Sequence, residues 1–540
     1  MSVTAMLRLT EIKLPLDHSP EAIAQAICQK LKIQPDDLLE YQIFKRSYDA
    51  RKKSNIYLVY IFDVHTTKDQ ALLKRFKKDP HVLPTPDMSY KMVAQAPADC
   101  ATRPIVIGMG PCGMFAGLML AKMGFRPIVL ERGKTVNERT KDTFNFWKKK
   151  GEFNPESNAQ FGEGGAGTFS DGKLYSQVRD RHHYKRKVLE EFVAAGANPE
   201  ILYIAKPHIG TFKLVGIVQS IRKTIESLGG EIRFQSKVKT LELENHQVKG
   251  VTLENGEFIP SSHVVLAMGH SARDTFQMLH DQGVYIEPKP FSIGFRIEHP
   301  QPLIDECRYG EFAGNKILGA ADYKLVHHCQ NGRSVYSFCM CPGGLVIGAT
   351  SEAGKVVTNG MSQYSRNERN ANAGIVVGIT PEEDFPGHPL AGIDLQRKLE
   401  ARAFELGGGD YSAPGQLVGD FLAGCSSESL GKVKPSYAPG VKLTDLSTAL
   451  PDYAIEAIRE ALPAFDKQIK GFAMAEAMLT GVETRTSSPI RIKRGKDYQS
   501  INTQGLYPAG EGAGYAGGIL SAAIDGVKVA EAIALDIVNE

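Results

Sequence analysis

Three glycines and one acid are the first residues whose spacing implies chemistry. Gly108, Gly110 and Gly113 stand at the G-x-G-x-x-G spacing. Glu131 follows Gly113 at close to the roughly 20 residues at which an acid takes ribose hydroxyls in dinucleotide sites. The first glycine permits a tight turn, the second lets backbone approach a pyrophosphate, and the third lets helix and strand pack closely. A helix opening at Pro111 and Cys112 offers free N–H groups and a partial positive charge to phosphate oxygens. The spacing has meaning only in a strand–helix–strand context. That context is present: Ile105, Val106 and Ile107 predict a buried strand, 112–123 a helix stopped by Gly124, and 127–130 a second strand. The stretch 104–125 is long and apolar enough to suggest a membrane span. Its glycines argue against that, because a glycine loop in lipid leaves backbone groups unpaired.

Two more glycine-rich stretches follow. In NAQFGEGGAGTFSDGKLYS, Gly162, Gly164, Gly165, Gly167 and Gly172 alternate with Thr168, Ser170, Asp171 and Lys173. Such a loop brings N–H groups, hydroxyls and one cation against a phosphate or a flavin ring. Near the C-terminus, Gly512, Gly514 and Gly517 repeat the spacing, but no strand or acid follows. This is read as a second helix N-terminus aimed at the same ligand. With one complete nucleotide unit, direct reduction by NADH or NADPH is expected to be slow.

Cys339 and Cys341 lie at the end of a strand expected over 334–340 and broken by Pro342-Gly343-Gly344. On a strand they share a face. Three readings stand: small buried hydrophobes, thiolate contacts in a substrate pocket, or a redox pair. Further substrate-site candidates are His327, His328, Arg366, Arg485, Ser487, Ser488 and Tyr515. Adjacent strand residues point to opposite faces, so at most one of His327 and His328 is expected in a site. Arg485, between threonines, has two readings, a structural one and a bidentate contact to a substrate carboxylate. No Cys/His set has a clear ligand spacing, so no metal is expected.

These residues need a frame. At 540 residues, two to four domains are expected. The pattern predicts a β-α-β-β-α module over 1–98, resembling a ferredoxin-like split βαβ, then a linker with Pro84, Pro86, Pro97 and Pro104. A doubly wound α/β nucleotide domain is expected over 99–270. An inserted antiparallel-sheet substrate domain follows over 271–470, with helices returning from about 451 through 479. A C-terminal part of the nucleotide domain completes the chain over 471–540. The basic run Arg51, Lys52, Lys53 is read as a solvated hairpin tip. With 64 basic against 61 acidic residues, the net charge of +3 gives no support for nucleic acid or an anionic membrane as main partner. The N-terminus has no apolar signal region, and the eight cysteines are scattered, which suggests cytosolic thiols.

GxGxxG with Glu131, the strand end Ala267-Met268-Gly269 and the distal YPAGE-x-x-G-x-x-GG loop resemble FAD-binding proteins of the glutathione-reductase type. The stretches GEGGAGTFSDGKLYS, AMGHSARDTF, FRIEHPQ, SFCMCPGG, TNGMS and ETRTSSP resemble a narrower group, the uncharacterised bacterial FAD-dependent dehydrogenases, over essentially the whole chain. The resemblance implies FAD as cofactor. It implies that Gly108, Gly110, Pro111, Cys112 and Gly113 hold the pyrophosphate, that Glu131 and Arg132 flank the ribose, and that Val238 meets the adenine. It also implies that Ala267 and Gly269 close the strand under the cofactor and that Gly510 and Glu511 face the ribityl chain. Gly518, Ile519 and Leu520 would set a helix N-terminus at the flavin's pyrimidine edge. The activity implied is two-electron oxidoreduction of a small-molecule substrate, with an unknown electron acceptor. Two alternatives stay open: a flavin-dependent reductase of an unsaturated lipid or cyclic substrate, and a non-enzymatic FAD scaffold whose N-terminal module binds a partner.

Overall fold

The computed structural model of the protein describes residues 6–176 and 178–539. Three sheets carry the architecture. The N-terminal sheet has the spatial order Leu38–Asp49, Tyr57–Thr66, Leu7–Pro15, Val82–Pro84, each pair antiparallel. Alternation drives it: in Tyr57–Thr66 every second residue is buried. The helices Pro20–Leu31 and Asp69–Arg75 complete it, the first burying Ile23, Ile27 and Leu31. Val82–Pro84 falls in what the sequence suggests is linker. Those residues add an edge strand to Leu7–Pro15, an edge being where proline is tolerated.

The second unit is a five-stranded parallel sheet in the order Leu506–Pro508, Val264–Leu266, Ile105–Ile107, Ile128–Leu130, Glu231–Arg233. Its strands are short, and the central ones are buried on both faces, so they read as continuous apolar runs. The helix Pro111–Lys122 crosses from Ile105–Ile107 to Ile128–Leu130 and is buried from Cys112 to Ala121. Against it packs the C-terminal helix Ile519–Asn539. A side chain at Gly526 would come within 2.2 Å of the Cys112 carbonyl oxygen, so glycine sets the closeness of the two helices. Strands Val238–Glu244, Gln247–Leu253 and Phe258–Pro260 form a small antiparallel meander at the side.

The third unit is a seven-stranded sheet: Val326–His328, Ser334–Cys341, Asn370–Ile379, Phe291–Pro300, Met478–Glu483, Ala413–Leu417, Val441–Leu443. Phe291–Pro300 has period two. Phe291, Ile293, Phe295 and Ile297 share a core with the helix Asp452–Asp466, while Ser292, Arg296 and Glu298 share the opposite, also buried, face. Here one expectation needs correction. The sequence suggests helices through residue 479, but Met478–Glu483 is a central strand of this sheet, so the sheet draws on residues past 470. Burial on both faces removes the alternation that would have marked it. Among the described residues, no helix is long and apolar enough to cross a membrane.

Candidate functional site

A cavity of about 1590 Å³ opens at the carboxyl ends of the parallel strands, where Ile107, Leu130 and Ala267 line it, and runs to the inner wall of the seven-stranded sheet. It sits where the chain leaves Ile105–Ile107 in one direction and later returns beside it as Val264–Leu266, the position at which open parallel sheets bind ligands. Its volume exceeds the roughly 300–1,000 Å³ of a pocket for one small ligand.

Glycines build the nucleotide end. Gly108 has φ +98°, and a Cβ there would lie 2.6 Å from the Ala267 carbonyl oxygen. A Cβ at Gly113 would lie 1.8 Å from the Gly108 oxygen. Both positions are therefore closed to side chains by the protein itself. Gly110 differs: a Cβ there would have Gly165 Cα at 3.7 Å as its one neighbour within 4 Å. The space it would enter is cavity. Gly165 packs on Gly110 from the second glycine loop, with φ +58° and a would-be Cβ 2.8 Å from Gly110 Cα. Gly164 donates its N–H to the Met109 carbonyl at 2.8 Å. A side chain there would strike the buried Thr168 hydroxyl.

Glu131 is the hinge pin of this arrangement. Its buried carboxylate accepts from the N–H groups of Met109 (2.9 Å), Gly133 (2.8 Å) and Gly162 (3.0 Å), which ties the two glycine loops together. A carboxylate has about four acceptor positions, so one remains. Arg132 is gripped by Glu156 (2.7 and 2.9 Å) and Asp274 (2.8 and 2.9 Å) and lies over the Phe161 ring. Burial would raise the Asp274 pKa, but Arg132 and Lys237 hold it well below the carboxylate range.

Of the residues singled out from sequence for the cofactor, Gly108, Gly110, Pro111, Cys112, Glu131, Arg132, Gly165, Ser170 and Asp171 line the cavity. So do Lys173, Val238, Ala267, Gly269, Glu511, Gly518 and Ile519. Gly113, Gly164, Thr168 and Gly510 stand behind the lining. Gly510, at φ +71°, donates its N–H to Asp525, which Arg494 grips at 2.6 and 2.9 Å. Glu511 meets His270 Nδ1 at 3.1 Å, joining two walls.

The far wall departs from expectation at Cys339. The strand Ser334–Cys341 bulges between Phe338 and Cys341, and Cys339 has φ +41°. The regular alternation that would set the two side chains side by side is therefore broken, although the Cys341 thiol still neighbours that of Cys339. Cys339 lines the cavity, whereas Cys341 is buried and its thiol donates to the Cys339 carbonyl at 3.4 Å. Cations draw the bulge's carbonyls outward. Arg296 Nη1 donates to Cys339 O at 2.8 Å, and Lys173 Nζ donates to Met340 O. Arg296 is fully buried and forks onto Glu483 at 2.9 and 3.0 Å. The neighbouring Cys341 thiol, with Lys173 and Arg296, holds the Cys339 thiol well below its ordinary pKa against the opposing effect of burial. Lys173 thus reaches the seven-stranded sheet rather than the glycine turn.

Other candidates resolve differently. Arg485 lines the cavity, but its guanidinium is committed: Nε and Nη2 to Glu400 (3.1 and 2.9 Å), Nη1 to Ser271 and Ser351. Arg273 shares Glu400 from the other side at 2.7 and 3.0 Å. The bidentate edge expected for a substrate carboxylate is taken. Tyr515 lines the cavity under the Arg494 guanidinium, 3.8 Å from its ring centre. Arg366 grips Asp171, Ser488 donates to Gly512 O, and Ser487 meets Lys289; these three, with His327 and His328, lie outside the lining. His327 instead meets Glu460 at 3.0 Å, and with Cys329 these side chains form a trio within 4.8 Å. The sequence spacing concealed that trio, because Glu460 comes from a distant helix. Thr358 and Asn359 line the cavity and were singled out only inside the TNGMS stretch, with no role attached. Asn359 accepts from Arg296 at 3.1 Å.

Residues 290–486 match the family described as FAD-dependent protein, C-terminal domain-like, and residues 6–65 match a domain of unknown function. An uncharacterized protein of Clostridium beijerinckii is 46% identical over 534 residues, covering 98% of each chain. Among solved structures, CtdE in complex with FAD is 13% identical (80% of this chain, 85% of that one, TM-score 0.31). The L-proline dehydrogenase of P. horikoshii is 14% identical (80% and 93%, TM-score 0.33), and the glycine oxidase of Bacillus cereus 12% (81% and 95%, TM-score 0.33). At such TM-scores these likenesses carry no argument. The cofactor is FAD. The residues fit it: a turn of backbone N–H donors with no side chain at Gly110, at a helix N-terminus, and a cavity with room left over.

Proposed function

We propose that this chain, which belongs to the family of the Clostridium beijerinckii protein and carries an FAD-dependent-protein C-terminal domain, is a two-electron oxidoreductase acting on a small molecule. One observation carries the reading. A single cavity joins the glycine-built nucleotide cleft to a polar wall made by Cys339 of the seven-stranded sheet and by Thr358 and Asn359 of the neighbouring short strand Thr358–Met361. The parallel sheet supports a doubly wound, Rossmann-like FAD domain of the glutathione-reductase type. The N-terminal strand order supports a ferredoxin-like module, and a cytoplasmic location goes with the scattered free thiols.

FAD, when bound, supplies the group that takes or gives the hydride. The chain's own residues do the rest. The helix N-terminus at Gly110 and Pro111 and the loop at Gly165 bind the pyrophosphate. Glu131 keeps both loops in register and offers its remaining acceptor position to the ribose, and Val238 flanks the adenine. Gly518 and Ile519 bring a second helix N-terminus, whose partial positive charge favours negative charge on the ring. The wall at Cys339 presents a thiol whose ionisation is favoured by the Cys341 thiol, Lys173 and Arg296, and it covers one side of the chamber. Bound flavin, photoreduced without oxygen and mixed with quinone or ferricyanide, is expected to reoxidise within seconds. Flavin inert to every added acceptor would leave a binding scaffold instead.

A further inference from the structure

The outer end of the cavity is lined by five cations and one acid. Lys45 comes from the N-terminal sheet, Lys185 from the helix Tyr184–Ala194, Arg308 from the helix Gln301–Tyr309, and Lys324 from the segment before Val326–His328. The fifth, Lys206, is paired with the one acid, Asp322, at 2.7 and 3.0 Å. The other four have no ion pair and no side-chain hydrogen bond among the described residues. Composition does not explain this, because the whole chain is nearly balanced at +3.

The N-terminal module is fixed over this opening. Arg46 donates its N–H to Tyr203 O (2.7 Å) and accepts from Ala205 N–H (2.9 Å), so the segment 203–205 continues the sheet edge beside Lys45. Tyr48 and Tyr309 join hydroxyls at 3.1 Å. The basic tip read from sequence as merely solvated packs its Lys53 on Gly310, two residues from Arg308. Like charges held together in a concave wall repel one another and focus a positive potential that draws in anions. Burial and the nearby Lys45 push the Lys185 ammonium below its usual pKa, a penalty that a bound anion would relieve.

We propose that this vestibule is the binding site for a small polyanionic substrate, bearing two or more carboxylate or phosphate groups, held by Lys45, Lys185, Arg308 and Lys324. The inference rests on the reading of the cavity as the chamber of an oxidoreductase and gives its substrate class. It also assigns the N-terminal module a function, since Lys45 completes the site.

The test is calorimetric titration of the FAD-loaded protein with citrate and, separately, with inorganic pyrophosphate. At least one is expected to bind one-to-one, more weakly as salt rises. Lys45→Gln/Lys324→Gln, both at exposed positions, is expected to weaken binding by at least about tenfold with flavin content and melting temperature unchanged. Preference for citrate identifies a carboxylate substrate, and preference for pyrophosphate a phosphorylated one. Absence of binding by both anions, or equal binding by the double variant, overturns the proposal. The two readings separate cleanly. Anion binding by a flavin that no compound reduces would retain the vestibule and remove the oxidoreductase. Flavin reduction by a neutral compound with neither anion bound would do the reverse.

Discussion

Substituting Gly110 and Gly113 separates ligand binding from folding within one turn. At Gly110 the backbone has φ −75° and a Cβ meets nothing closer than 3.7 Å, so Gly110→Val fits the empty fold. Its cost is that of a poorer helix N-cap, about 0.5–1 kcal/mol. The valine methyls, however, fill the space a pyrophosphate would need. Charge-assisted bonds from N–H to phosphate contribute about 1.5–3 kcal/mol each. Losing two removes about 3–6 kcal/mol, a weakening of roughly 10²–10⁴-fold. Gly113→Ala, by contrast, places a methyl 1.8 Å from the Gly108 oxygen, so the backbone must move, at about 1–3 kcal/mol or more. The assay is flavin-to-protein ratio by absorbance beside the melting temperature of the flavin-free proteins. Gly110→Val is expected to melt near the parent and carry almost no flavin, and Gly113→Ala to melt several degrees lower. Stoichiometric flavin in folded Gly110→Val would refute the placement of the pyrophosphate.

Glu131→Gln replaces one accepting oxygen by a donor facing a backbone N–H. It is expected to cost about 1.5–3 kcal/mol and lower the melting temperature, which calorimetry reads. Arg485→Ala leaves the buried Glu400 with Arg273 and the Thr484 hydroxyl as its partners. The loss expected is about 3–5 kcal/mol of stability by urea denaturation, and an unchanged midpoint would contradict the committed guanidinium. The neighbouring Cys341 thiol, Lys173 and Arg296 depress the Cys339 pKa against the effect of burial. Its alkylation, followed site by site by mass spectrometry, is expected to rise with pH at a lower pH than that of an ordinary thiol, the direction set by its depressed pKa. A normal pH dependence at Cys339 would contradict that depression.

The nucleotide unit was legible because it is local. Ile105–Ile107, Pro111–Lys122 and Ile128–Leu130 follow one another, and each glycine's task is set by its neighbours in the turn. Long-range partners hid the rest. The two readings of Arg485 could not be separated because Glu400 lies on another element, and no spacing announces that Arg273 shares it. Cys339 and Cys341 looked like strand neighbours because the bulge depends on Arg296 and Lys173, both distant in sequence. Met478–Glu483 lacked alternation because both of its faces are covered. Lys45 carried no motif; only the docking of Arg46 on Tyr203 and Ala205 brings it to the cavity.

In the proposed function the cavity brings a small molecule to a redox-active FAD. Anaerobic mixing of the FAD-loaded protein with a metabolite panel, watching the flavin absorbance, tests it most directly. At least one compound is expected to bleach the band in a two-electron step and to be recovered oxidised in equal amount. A flavin that no compound bleaches, and that stays reduced when photoreduced and offered acceptors, would contradict the account.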